Sequence, residues 1–158
     1  MPFFRSSRIL ICLLPALSLV GVGCSSNDRP QTESDKNFKA LTVLYGKFVS
    51  RNRGMGPASE ADFKKFIKSL GSGEVEAAGA NPAEIDKLFV SPRDNEPYEF
   101  AWKSQANTGP DGKGTVVMWE KTGVGGKRLV GDSNGAVEEL DAAAFEQRVG
   151  NKAAGKTK

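Results

Sequence analysis

The chain predicts an α+β fold: N-terminal helices packed on one face of a three- or four-stranded antiparallel meander, followed by a short C-terminal helix. Three observations support this. Residues 38–49 carry apolar side chains at spacings of three and four, the period of a helix with one buried face. Residues 98–102 switch to strict alternation, the period of a half-buried strand. Helical patterns come first and strand patterns later, and segregation of that kind favours α+β over a parallel α/β sheet.

The elements follow in order. A helix is expected from Asp35, burying Phe38, Leu41, Leu44, Tyr45, Phe48 and Val49, with Lys36, Lys39, Lys47 and Arg51 mostly opposite. Gly54, Gly56 and Pro57 stop it. Ser59 followed by Asp62 forms a capping pattern for a second helix, Glu60 to Leu70, that buries Phe63, Phe66, Ile67 and Leu70. Residues 72–80 are rich in Gly, Ala and Glu and read as a loop. Asn81-Pro82, with Glu84 closing a second capping box, starts a short helix to Leu88 that buries Ile85 and Leu88. SPRDNEP (91–97) is turn chemistry. Tyr98, Phe100 and Trp102 alternate with polar or small residues, whereas TVVMW (115–119) is apolar on both faces and suggests a central strand. Arg128–Val130 and Ala136–Leu140 pair around Asn134-Gly135, a strong hairpin signal. Asp141 caps a last helix with Phe145 and Val149 inward.

The first 23 residues are of another kind. Arg5 and Arg8 precede an uncharged apolar run that stops at Cys24, where the sequence turns polar. The pattern is that of a secretory signal, and about 15 apolar residues fall short of the roughly 20 that span a bilayer as a helix. Gly21-Val22-Gly23-Cys24 resembles the lipobox of bacterial lipoproteins, with Gly21 where that family prefers Leu. The resemblance implies removal of residues 1–23, attachment of fatty acyl chains such as palmitate at Cys24, and an extracytoplasmic, membrane-anchored protein. Ser25 rather than Asp after the cysteine favours the outer membrane in a cell that has one. Small residues at Gly21 and Gly23 also suit an ordinary signal peptidase, so full secretion and a retained anchor stay open. The expected organisation is therefore signal 1–23, flexible tether 24–36, α+β domain 37–149, and disordered basic tail 150–158.

Composition narrows the function. The formal charge of +3 loses Arg5 and Arg8 with the signal and falls to about +1, which gives no argument for nucleic acid. Of the two cysteines, Cys12 leaves with the signal and Cys24 is the expected lipid site, so no disulfide is expected. There is no histidine, which removes the commonest general base and metal ligand and the usual nucleophile pairs. No cofactor, metal or catalytic residue is expected.

Four features invite chemistry. Gly123–Lys127 suggests a phosphate loop, but Lys121 stands where that loop needs Gly and Arg128 where it needs Ser or Thr. Asp111-Gly112 and Asp132–Gly135 suggest calcium, yet Ala136 and Ala143 fall at the fifth and twelfth positions counted from Asp132. Glu138, Glu139 and Asp141 have no carboxylate placed opposite them as a glycosidase requires. Tyr98, Phe100, Trp102 and Trp119 are first of all what a sheet needs to pack beneath helices, and in second place candidates for a contact surface.

SPRDNEPY, the VVMWEKTGVGGKR run and the DSNGAVEEL hairpin resemble segments of small uncharacterised bacterial lipoproteins, which carry no known activity. The Pro-rich turn and Pro-Tyr before a sheet are similar, more faintly, to the globular head of type II secretion pseudopilins, although the spacing differs and the apolar run lacks the glutamate that a pilin needs. The expectation is a non-enzymatic binding or structural module of the cell envelope, tethered to membrane lipid through Cys24 and contacting an envelope protein or polysaccharide. The alternatives are a secretion-system accessory and an accessory to a cell-wall-sugar enzyme.

Overall fold

A computed structural model describes residues 32–150. Helix α1 spans Glu33–Arg51. It opens with a full capping box: the Asp35 N–H donates to Thr32 Oγ1 at 3.3 Å, and the Thr32 N–H donates to Asp35 Oδ2 at 2.8 Å. The helix thus begins within the expected tether, because the cap lies ahead of the first apolar residue and leaves no trace in the hydrophobic period. All six expected core residues on its inner face are buried. A reverse turn ends it. Arg53 adopts φ 53° and the Gly54 N–H reaches back to Val49 O at 3.0 Å, satisfying one of the carbonyls that a helix end leaves open.

Helix α2 spans Glu60–Ser69 and is capped by Ser59. Phe63, Ile67 and Leu70 are buried, and Phe66 is half-buried with its ring edge-on to Phe48 at 5.0 Å. Residues 72–80, expected as a loop, contain helix α3, Ser72–Ala77. A single large apolar residue there, Val75, gives no periodicity. Tertiary contacts hold it instead: Val75 enters the core, and Glu74 pairs with Arg51 at 2.6 Å. The following segment, Pro82–Phe89, is a 3₁₀ helix kinked at Glu84 rather than an α-helix. Asn81 caps it through the Ala83 N–H, whereas Glu84 pairs with Lys87 rather than with the cap backbone. Ile85, Leu88 and Phe89 are buried.

The sheet has order β1-β2-β3-β4 and is antiparallel throughout. Its strands are β1 Glu99–Phe100, β2 Val116–Trp119, β3 Lys127–Asp132 and β4 Val137–Asp141. The alternating run 98–102 yields only two paired residues, because Lys103 turns the chain at φ 58°. A register shift between Val116 and Met118 marks a bulge, and the successive residues Val117 and Met118 both join the main core. Helix α4, Ala142–Phe145, is capped by Asp141 and runs on into a π turn, Glu146–Gly150.

Both faces of the sheet are covered. On one, α1, α2, α3 and the 3₁₀ helix pack over Phe100, Val117, Met118 and Leu129. On the other, Phe145 and Val149 close over Val116 and Val130, flanked by Trp119 and Leu140. The N-terminal helices therefore share one face as expected, and the C-terminal helix takes the opposite one. That second layer explains why TVVMW is apolar on both sides. Phe63 anchors the main core, with the rings of Tyr45, Phe48, Phe89 and Phe100 at 5.5–6.2 Å.

Candidate functional site

Cys24, the expected lipid attachment, lies outside the described residues, as do residues 25–31 of the tether and 151–158 of the basic tail. Among the described residues, no helix is long and apolar enough to cross a membrane.

The four aromatic candidates do not form one surface. Tyr98 and Phe100 are core residues, 5% and 3% exposed, in line with the packing reading, and the lesser reading of them as contact surface is corrected. Alternation selects a buried face as readily as a binding face, and here rings from α1, α2 and the 3₁₀ helix cover it. Trp102 is half-buried and stacks on Phe100 at 4.5 Å. Trp119 is half-buried against the opposite core. The two indoles are thus separated by the sheet.

Each carboxylate considered for chemistry is engaged by this chain's own groups. Asp132 accepts from the N–H groups of Gly114, Asn134 and Ala136 at 2.9–3.0 Å, which makes it a hairpin organiser. Asp111 accepts from the Lys113 N–H, and Asp141 from the Ala144 N–H. Glu138 pairs with Lys113 at 2.8 Å and Glu139 with Arg93 at 3.0 Å. No group of three or more metal-ligating side chains occurs among the described residues.

The most organised polar cluster lies where SPRDNEP meets the β2–β3 turn. Glu120 is fully buried. The Ser91 hydroxyl donates to its Oε1 at 3.1 Å, the Leu129 N–H donates to its Oε2 at 2.9 Å, and Arg93 Nε lies 3.5 Å away. Arg93 bridges onward to Glu139, and its buried Nη1 has no hydrogen-bond partner among the described residues. Burial pushes the Glu120 carboxyl above its ordinary range, against the opposing pull of the Leu129 N–H, the Arg93 charge and the Ser91 hydroxyl. Ser91 is itself fully buried.

Asp94 completes the junction. Its Oδ2 accepts from the N–H groups of Gly123 at 2.7 Å and Thr122 at 3.3 Å, and its Oδ1 from Glu96 at 3.2 Å. Burial works against this anion, but the N–H donors of Gly123, Glu96 and Thr122, with the Ser91 hydroxyl, together hold its carboxyl below the usual range. The glycine-rich turn that suggests a phosphate loop therefore already holds an anion, supplied by the chain itself. Gly123 is required there: φ is 74°, and a Cβ would lie 2.1 Å from Lys127 O.

Sequence reasoning missed Ser91, Arg93 and Glu120 as a unit. The available signal was a lone Glu ending the apolar run VVMW beside an Arg within a turn, and their partnership spans 27 residues. Chemically the cluster is a clamp that fixes a turn to a sheet. The fold is thus α+β. Compared with protein families, curated proteins and solved structures, the chain matches none.

Proposed function

We propose that this chain is a lipid-anchored, extracytoplasmic module of the bacterial cell envelope, not an enzyme, that acts by binding an envelope protein or polysaccharide. The observation that carries the reading is the basic-then-apolar run ending at Cys24, followed at once by a polar segment. Each buried CH₂ of an acyl chain contributes about 0.8 kcal/mol, so several chains on one sulfur hold a protein at a membrane durably. Because α1 starts at Glu33, the tether shortens to roughly 8 residues and reaches at most about 28 Å. The domain then stays close to the lipid surface, and confinement raises the effective concentration for weak contacts. The internal engagement of the carboxylates supports a binding role over hydrolysis.

The test is fractionation of Cys24→Ala beside the parent, with mass measurement of the mature N-terminus. The expected result is an acyl mass at residue 24 in the parent and loss of the variant from the membrane fraction. Membrane retention of Cys24→Ala, together with an unmodified parent, overturns the proposal.

A further inference from the structure

A cavity of 230 Å³ opens between the C-terminal half of α1, the 106–108 loop and the β3–β4 turn. Its floor is Gly46, Val49 and Gly54 and its rim is Ser50, Asn107, Thr108, Ser133 and Asn134. Ala106 completes a lining that holds no charged residue, whereas at the chain's 26% charged content about two of nine would carry charge. Gly46 shapes the floor: a Cβ there would lie 3.2 Å from Ser133 O, so its absence lets the turn sit close against the helix.

The rim is equipped to donate and accept at once. Among the described residues, the side chains of Asn107 and Thr108 make no hydrogen bond. Ser50 donates to Lys47 O and keeps its lone pairs, whereas Ser133 accepts from the Thr115 N–H and keeps its proton. Asn134 spends one N–H on Gly112 O at 3.4 Å and keeps its carbonyl. Hydroxyls and carboxamides so arranged match a ligand that is itself a ring of hydroxyls, each both donor and acceptor. At 230 Å³ the cavity falls below the roughly 300–1,000 Å³ of pockets for drug-sized ligands, which limits its occupant to about one ring.

We infer that this cup binds a single ring of a neutral saccharide, which makes a polysaccharide the envelope partner. The inference rests on the envelope reading above for its choice of ligand source. An anionic ligand lacks a counter-charge in the lining. A peptide adding to the sheet needs an exposed strand edge, and helix, loop and turn bound this cup. One ring in an open cup binds weakly, in the millimolar range, and confinement beside a polymer compensates.

The test is an NMR titration of the full chain in zwitterionic detergent with a neutral N-acetylglucosamine trisaccharide. A trimer of galacturonate and an uncharged tripeptide serve as comparisons. The expected result is saturable shifts at residues 46–50, 106–108 and 133–134 with the neutral sugar alone, and about tenfold weaker binding in Asn107→Ala/Thr108→Ala. Both side chains are exposed, and an unchanged spectrum without ligand verifies that this variant is folded. No saturation by about 10 mM, equal shifts from the peptide or the uronate, or undiminished binding in the variant overturns the inference. None of these outcomes depends on acylation, and failure of the fractionation test leaves this result standing.

Discussion

Gly131 lies directly under Thr42 of α1, and adding one methyl group there tests how tightly that interface is packed. A Cβ at this position would lie 2.6 Å from Thr42 Oγ1, 3.0 Å from Thr42 Cγ2 and 3.1 Å from Met118 Cγ. Thr42 is fully buried, and its hydroxyl donates to Phe38 O at 2.8 Å, so its rotamer is held. Met118 is fully buried as well. The backbone at Gly131 does not have positive φ, so an alanine meets contact strain rather than torsional strain. Overpacking of this kind costs about 1–3 kcal/mol, offset by about 0.4–1 kcal/mol because alanine restricts the unfolded chain. These ranges net to about 0–2.6 kcal/mol, and the 2.6 Å contact with a held Thr42 excludes the low end, so Gly131→Ala should destabilise by about 1–2.6 kcal/mol, or about 4–10 °C in Tm for a domain of this size. Urea denaturation followed by circular dichroism measures it, with the m-value unchanged. Thr42→Ala removes both of the nearest obstructing atoms. The double variant Thr42→Ala/Gly131→Ala should thus be more stable than the sum of the single effects by about 1 kcal/mol. A neutral Gly131→Ala, or strict additivity in the cycle, refutes the packing argument.

The clamp residues give two pH predictions of opposite sign. Glu120 has its folded pKa raised by burial above the ordinary 4.5, so the folded state holds that proton more tightly than the unfolded one. Its contribution is complete below 4.5 and is lost as pH rises through the folded value. Thermal melts of Glu120→Gln should accordingly gain on the parent from pH 4 towards pH 7, on the order of the window named; a constant difference across that range refutes it. Asp94 has its folded pKa lowered below 3.8 by backbone donors despite its burial, so its contribution is present above 3.8 and is lost as pH falls through the folded value. Asp94→Asn should cost about 1–2 kcal/mol at neutral pH, and the gap to the parent should close in acid. A gap that persists at about pH 2 points to packing rather than charge.

The sequence by itself determined the local elements. The spacing of Phe38 to Val49, the caps Ser59, Asn81 and Asp141, and the Asn134-Gly135 turn each act between near neighbours. α1, α2, the β3–β4 hairpin and the α+β class follow from them. Features that depend on distant partners were not legible. α3 exists because Val75 finds the core and Glu74 finds Arg51. The core role of Tyr98 and Phe100 was the favoured reading of their alternation, but which elements cover them, α1, α2 and the 3₁₀ helix, was set by the tertiary structure. Cys24 rests on a pattern near the chain's start and lies outside the described residues. The Ser91–Arg93–Glu120 clamp and the uncharged cup were decided by tertiary structure alone. Periodicity reports which side of an element is apolar, but only chain topology sets what lies against it. A buried carboxylate is tolerable where folding brings a serine hydroxyl, a backbone amide and a guanidinium to it from separate segments.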